Sequence, residues 1–212
     1  QLYGAFYEFH EPRTLQLLPA PATSLDTVDS LVFVDSSSRL GIWKHNDPEA
    51  TPTQFPTWLG GELRLASTLP QLQTATLSDA TRVRVADVDG DGTPDLVVLL
   101  SFVLPAQGEG TAQLALLRGK PAPAPNEFPF VQPAVLTPVH GNAITMALGD
   151  FAAAGPGLQK RLELAVGVPL GTTPGALDGD HVRFFRYVAG ATPDLDRFEP
   201  SAAAGGPQVL LA

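Results

Sequence analysis

Residues 82–100 read RVRVADVDGDGTPDLVVLL. Two runs of β-forming residues flank a short stretch that carries Asp87, Asp89, Asp91 and Asp95. Valine and leucine in such runs, bounded by glycine and proline, favour strands over helices. Both runs are apolar enough to be buried, so the stretch between them is a loop at the end of a core hairpin. Carboxylates about 3 Å apart cannot all stay ionised at low cost. A chain that folds this way must supply a compensating positive charge.

The rest of the composition supports an all-β reading. Of 212 residues, 44% are hydrophobic and 17% charged, with 21 prolines and 20 glycines. Enough apolar residue is present for a core, and the density of turn formers points to many short strands. The formal net charge is −9, which opposes binding to nucleic acids and to anionic lipid surfaces. Lys44, Arg118, Lys120, Lys160 and Arg161 are scattered along the chain and read as no basic patch. Cysteine is absent, which excludes disulfides, thiolate catalysis and zinc–thiolate sites. No apolar stretch reaches the length of a membrane-spanning helix.

Three stretches resemble one another: VDSLVFVDSSSRLGIWKHN from Val28, TPDLVVLL with TAQLALLRGK from Thr93, and RLELAVGVP with HVRFFRYVAG from Arg161. Each has an acid, an apolar strand, a turn and a second strand. The matching acids are Asp29, Asp95 and Glu163; from 29 to 95 is 66 residues and from 95 to 163 is 68. RVRVADVDGDG from Arg82 likewise matches ITMALGDFAAAG from Ile144, pairing Asp87 with Asp150. The approximate units are 14–75, 80–140 and 143–205. Repeats of four short strands predict β-propeller-type blades, about three of them, within one propeller-like region over residues 1–212. An ordinary sandwich is the competing arrangement. The proline-rich segments NDPEATPTQFPTW and GKPAPAPNEFPFVQPAV read as extended connections or edge strands.

The spacing D-x-D-x-D-G-x-x-D aligns side-chain oxygens on one side of a tightly turning loop. A hard divalent cation relieves their repulsion, and calcium, with six to eight oxygen ligands at about 2.3–2.6 Å, suits a flexible all-protein cage better than magnesium. Zinc would require His or Cys, and none is near. An EF-hand opens with the same residues but needs a bidentate Glu at its twelfth position, which is Val98 here.

The motif DVDGDGTPDLVVL resembles the FG-GAP/VCBS repeat of integrin α-subunit propellers and many bacterial surface proteins. The resemblance covers two clear units and one faint one. It implies that the loop joins the first two strands of a blade and holds one Ca²⁺. The implied ligands are the side chains of Asp87, Asp89, Asp91 and Asp95 and the backbone carbonyl of Thr93. The equivalent loop after Asp150, DFAAAGPGLQKRLE, has Ala152 and Ala154 where acids would stand, and TSLDTVDSL lacks the triplet as well. One structural calcium ion is therefore expected, not three.

Other candidates are weaker. His10, His45, His140 and His181 form no metal-ligand or catalytic spacing. Ser36, Ser37 and Ser38 lack a nucleophile-elbow context. LDGDH at 177–181 reads as a hairpin turn. Trp43, Trp58, Phe184, Phe185 and Tyr187 pack between blades or line a sugar site. RFFRY sets Phe184 and Phe185 on opposite strand faces.

The resulting expectation is a non-catalytic, calcium-stabilised binding or scaffold module that contacts a protein or glycan, of the kind used in adhesion. It is expected at the cell surface, outside the cell or in the periplasm. The alternatives are an accessory or substrate-docking domain of a larger secreted enzyme, and a propeller lectin. Three blades do not close a ring, so further blades from a longer chain or another copy are expected as partners.

Overall fold

The alternating and continuous apolar runs produce strands, arranged as three open antiparallel sheets. The computed structural model describes residues 12–19, 30–35, 39–44, 57–64, 76–77, 81–103, 110–121, 123, 128–131, 135–139, 143–149, 162–168, 181–192, 195–201 and 209–210. Among these residues there is no α-helix, and no helix is long and apolar enough to cross a membrane.

The first sheet holds β1 (Pro12–Leu18), β2 (Ser30–Asp35), β3 (Arg39–Lys44) and β4 (Thr57–Arg64), each paired with the next. The second holds β5 (Thr76–Leu77), β6 (Arg82–Ala86), β7 (Asp95–Val103), β8 (Gly110–Leu117) and β9 (Val135–Val139). β5 and β6 pair with successive parts of β7, so together they form one interrupted edge. The third holds β10 (Thr145–Gly149), β11 (Glu163–Val168), β12 (His181–Val188), β13 (Arg197–Pro200) and β14 (Val209–Leu210). Here β13 and β14 share one side of β12. The sheets thus occupy consecutive stretches of chain, and each is a meander four strands wide. Pro138 lies exposed on the edge strand β9, where a missing donor does no harm. The segment ending in Trp58 runs into β4, where Trp58 stands opposite Trp43 in the register.

The second sheet is the centre of the molecule. Side chains alternate across a strand, and both faces of β7 are covered. Leu96, Val98, Leu100 and Phe102 join Val32, Val34, Leu40 and Ile42 of the first sheet in one core cluster. Val97 and Leu99 join Met146, Leu164, Val166, Phe185 and Phe198 of the third sheet in another. This explains why β7 reads as an unbroken apolar run. Polar bonds reinforce both junctions. Val83 donates its backbone N–H to Thr14 Oγ1 at 3.2 Å, and Thr137 donates its hydroxyl to the Phe198 carbonyl at 2.9 Å.

Burial on both faces has a measurable consequence. Leu99→Ala and Leu100→Ala, neighbours that point into different clusters, should each cost about 2–5 kcal/mol in urea denaturation. In a sheet with one solvated face, one of the two would be nearly silent.

Candidate metal centre

The acidic loop is built by the β6–β7 hairpin. Ala86 pairs with Asp95, so Asp87 leaves the ladder where Asp95 enters it. Gly90 and Gly92 have φ of 81° and 86°, a left-handed conformation that a Cβ would oppose. These two residues let the chain coil back on itself. Val88, 4% exposed, is packed into the cluster between the second and third sheets and pins the loop to the core.

The coiled backbone turns its N–H groups onto the aspartates. Asp87 accepts from Gly90 N at 2.8 Å through Oδ1 and from Gly92 N at 2.9 Å through Oδ2. Asp89 Oδ1 accepts from Asp91 N at 3.1 Å, and Asp91 Oδ1 from Thr93 N at 2.7 Å. Asp95 accepts from Val88 N at 2.9 Å through Oδ2. One oxygen from each of Asp87, Asp89 and Asp95 lies within 4.8 Å of the others, a group able to hold a metal ion. An ionised carboxylate offers about four acceptor positions. Backbone N–H groups use two on Asp87; with Arg118 and Gly119 N as further donors, two are used on Asp89 and three on Asp95, so each retains capacity for a cation. The donor set is all oxygen, which fits a hard cation.

Of the residues expected from sequence, the structure gathers Asp87, Asp89 and Asp95. Asp91 is not in that group; its Oδ2 faces Arg118 Nη2 at 3.4 Å. Thr93 is half-buried, with its methyl group 2.6 Å from where a Cβ on Gly119 would stand. Asp150, its following loop and residues 177–180 of LDGDH lie outside the described residues, as do His10, His45, His140 and Ser36–Ser38. Phe185 is buried in the core cluster, while Phe184 falls on the other face, half-buried. Tyr187 is packed against the same cluster as Phe185.

The counter-charge sought from outside the chain is supplied in part from within it. Arg118, one of the basic residues that read as scattered, is buried inside the acidic cluster. Its Nε donates to Asp95 Oδ1 at 2.9 Å, its Nη2 to Asp89 Oδ2 in a close ion pair, and its Nη1 to Asp196 Oδ2 in another. Nη1 also donates to the Tyr187 hydroxyl at 2.8 Å, and that hydroxyl donates to Asp196 Oδ2 at 2.8 Å. Gly190 N donates to Asp196 Oδ1 at 2.7 Å. One guanidinium therefore faces Asp89, Asp91, Asp95 and Asp196, and connects the loop to the third sheet.

Register places Arg118. Leu96 pairs with Leu117 in the β7–β8 hairpin, so the next position outward sets Arg118 opposite Asp95. The neighbouring glycine is required by the same contact. A Cβ on Gly119 would stand 2.4 Å from the Pro94 carbonyl oxygen, while Gly119 N donates to Asp95 Oδ1 at 2.8 Å.

Burial dominates the titration of Asp95 and pushes its pKa up; the bonds from Gly119 and Val88 and the Arg118 guanidinium oppose that rise without cancelling it. For Arg118, burial favours loss of the proton, but its bond and charge interaction with Asp95 override this and hold its pKa above the usual value. Burial also raises the Tyr187 pKa, and its hydrogen bond to Asp196 adds to the shift. Arg118 is thus a fixed cation and Tyr187 a fixed hydroxyl donor.

Comparison with protein-family models, with curated proteins and with solved structures found no match to this chain.

The two extremes of the cluster should separate sharply. Asp95→Ala leaves the buried donors Val88 N, Gly119 N and Arg118 Nε without their acceptor and should cost about 3–5 kcal/mol in chelator-containing buffer. Asp91→Ala removes a side chain that is 40% exposed and should cost less than about 1 kcal/mol. Equal losses in denaturant titrations would contradict this assignment.

Proposed function

We propose that the chain is a propeller-type β-repeat module with a structural calcium site in the 87–95 loop. It works outside the cell as a non-catalytic platform for a protein or glycan. The observation that carries this reading is the convergence of Asp87, Asp89 and Asp95, each with acceptor capacity left over. Asp91 and the Thr93 carbonyl are the further ligands implied by the resemblance to the FG-GAP/VCBS repeat. Three consecutive four-stranded meanders, stacked through two apolar cores, support the blade reading.

Calcium, rather than magnesium, follows from the donor set and from a loop shaped by its own hydrogen bonds rather than by an octahedral cage. Such a site fills where free calcium is near millimolar, hence the placement outside the cell. The ion's task is to hold the turn between β6 and β7, whose aspartates are already engaged by the loop's own backbone N–H groups.

An ion bound at 100 times its dissociation constant stabilises by about 2.7 kcal/mol. For a chain of this size that raises the melting temperature by about 5–10 °C. Calcium should produce that shift over EDTA, and Asp87→Asn, which removes a ligand charge away from Arg118, should abolish most of it. Superimposable melts in calcium and in EDTA would refute the calcium assignment.

A further inference from the structure

Arg118 occupies one wall of the acidic loop. Its Nη2 and Nε bind Asp89 Oδ2 and Asp95 Oδ1, on two of the three carboxylates that form the candidate metal group. Its Nη1 points the other way, to Asp196 and Tyr187 of the third sheet. The guanidinium is therefore divided between the loop and the neighbouring sheet. Asp87, the third member of the group, is held by Gly90 and Gly92.

We propose that Arg118 is a built-in counter-cation that shares Asp89 and Asp95 with the divalent ion, so that the two positive charges oppose each other across the loop. This inference rests on the calcium reading of the site. Without the ion, Arg118 offsets part of the loop's negative charge and helps preserve its coil. When the ion binds, it takes over part of that neutralisation and weakens the hold of Nη2 on Asp89. The fork then depends more on Asp196 and Tyr187, at the junction of the second and third sheets. Arg118 acts here as a positioning residue with a charge role, not as a ligand.

A purely structural arginine and a competing one differ in what calcium does to a variant. Like charges near one another lower each other's binding, strongly so where water is partly excluded. Arg118→Met, and the polar but uncharged Arg118→Gln, are compared with the unaltered chain by thermal melts in EDTA and in millimolar calcium, and by calorimetric calcium titration. The expected result is a calcium affinity about tenfold or more tighter in Arg118→Met. Its loss of melting temperature in EDTA should also shrink by about half or more in calcium. If Arg118→Met folds only when calcium is present, that rescue also supports the proposal; if it folds in neither buffer, the same comparison with Arg118→Gln, which also removes the charge, decides. Calcium binding by the unaltered chain, with equal losses in both buffers or weaker affinity in the variants, overturns this proposal alone. No calcium binding by the unaltered chain or by any variant overturns the calcium reading and this proposal together.

Discussion

Asp95 is fully buried at the first position of a strand that is itself covered on both faces. A carboxylate in that place is tolerated only if its oxygens are bonded and its charge opposed. The three donors that satisfy it come from two directions. Val88 N belongs to the acidic loop, while Arg118 Nε and Gly119 N follow the end of β8. Meeting the needs of one oxygen pair therefore closes the loop against the β7–β8 hairpin. The same requirement draws a long cationic side chain into the core, and that side chain reaches the third sheet. Local loop geometry and packing between sheets share one buried carboxylate.

The pattern of the sequence reveals the scaffold better than the charge network. β7 reads DLVVLLSFV, and its lack of alternation indicates a strand with no solvated face. Asp95 and Glu163 each open the second strand of a hairpin, and glycine spacing marks the coil. These signals are local. Arg118 is 23 residues from Asp95 and becomes its neighbour only through the hairpin register. Once Leu96 is set opposite Leu117, an acid–base pair at the next position becomes readable. Asp196 is 78 residues from Arg118 and belongs to the third-sheet segment before β13. No periodicity links the two, because their contact depends on how whole sheets pack.

The third sheet repeats the placement of an acid opposite an arginine with a different outcome. Register sets Glu163 opposite Arg186, as it sets Asp95 opposite Arg118. Arg186 is 52% exposed and pairs with Glu199 at 3.7 Å, in a region where water screens both charges. Arg118 is 7% exposed and surrounded by four carboxylates. The Asp95–Arg118 position faces the third sheet, whose Asp196 and Tyr187 close over it, whereas Arg186 extends to solvent although Glu163 opposite it is buried.

Arginine suits this position for a geometric reason. Its nitrogens diverge in one plane, so Nε meets Asp95, Nη2 meets Asp89 and Nη1 meets Asp196 and Tyr187. A lysine ammonium is a compact point charge and lacks that fixed fork. The guanidinium can thus bridge three carboxylates without letting them approach one another. It still brings a single positive charge to a cluster whose members are Asp87, Asp89, Asp91, Asp95 and Asp196. Among the described residues Asp87 receives only backbone N–H groups, which orient it but carry no net charge. The negative charge is therefore least compensated at Asp87, which is exposed. A divalent cation entering at Asp87 would meet that residual charge before the guanidinium, which would let one small loop accommodate both.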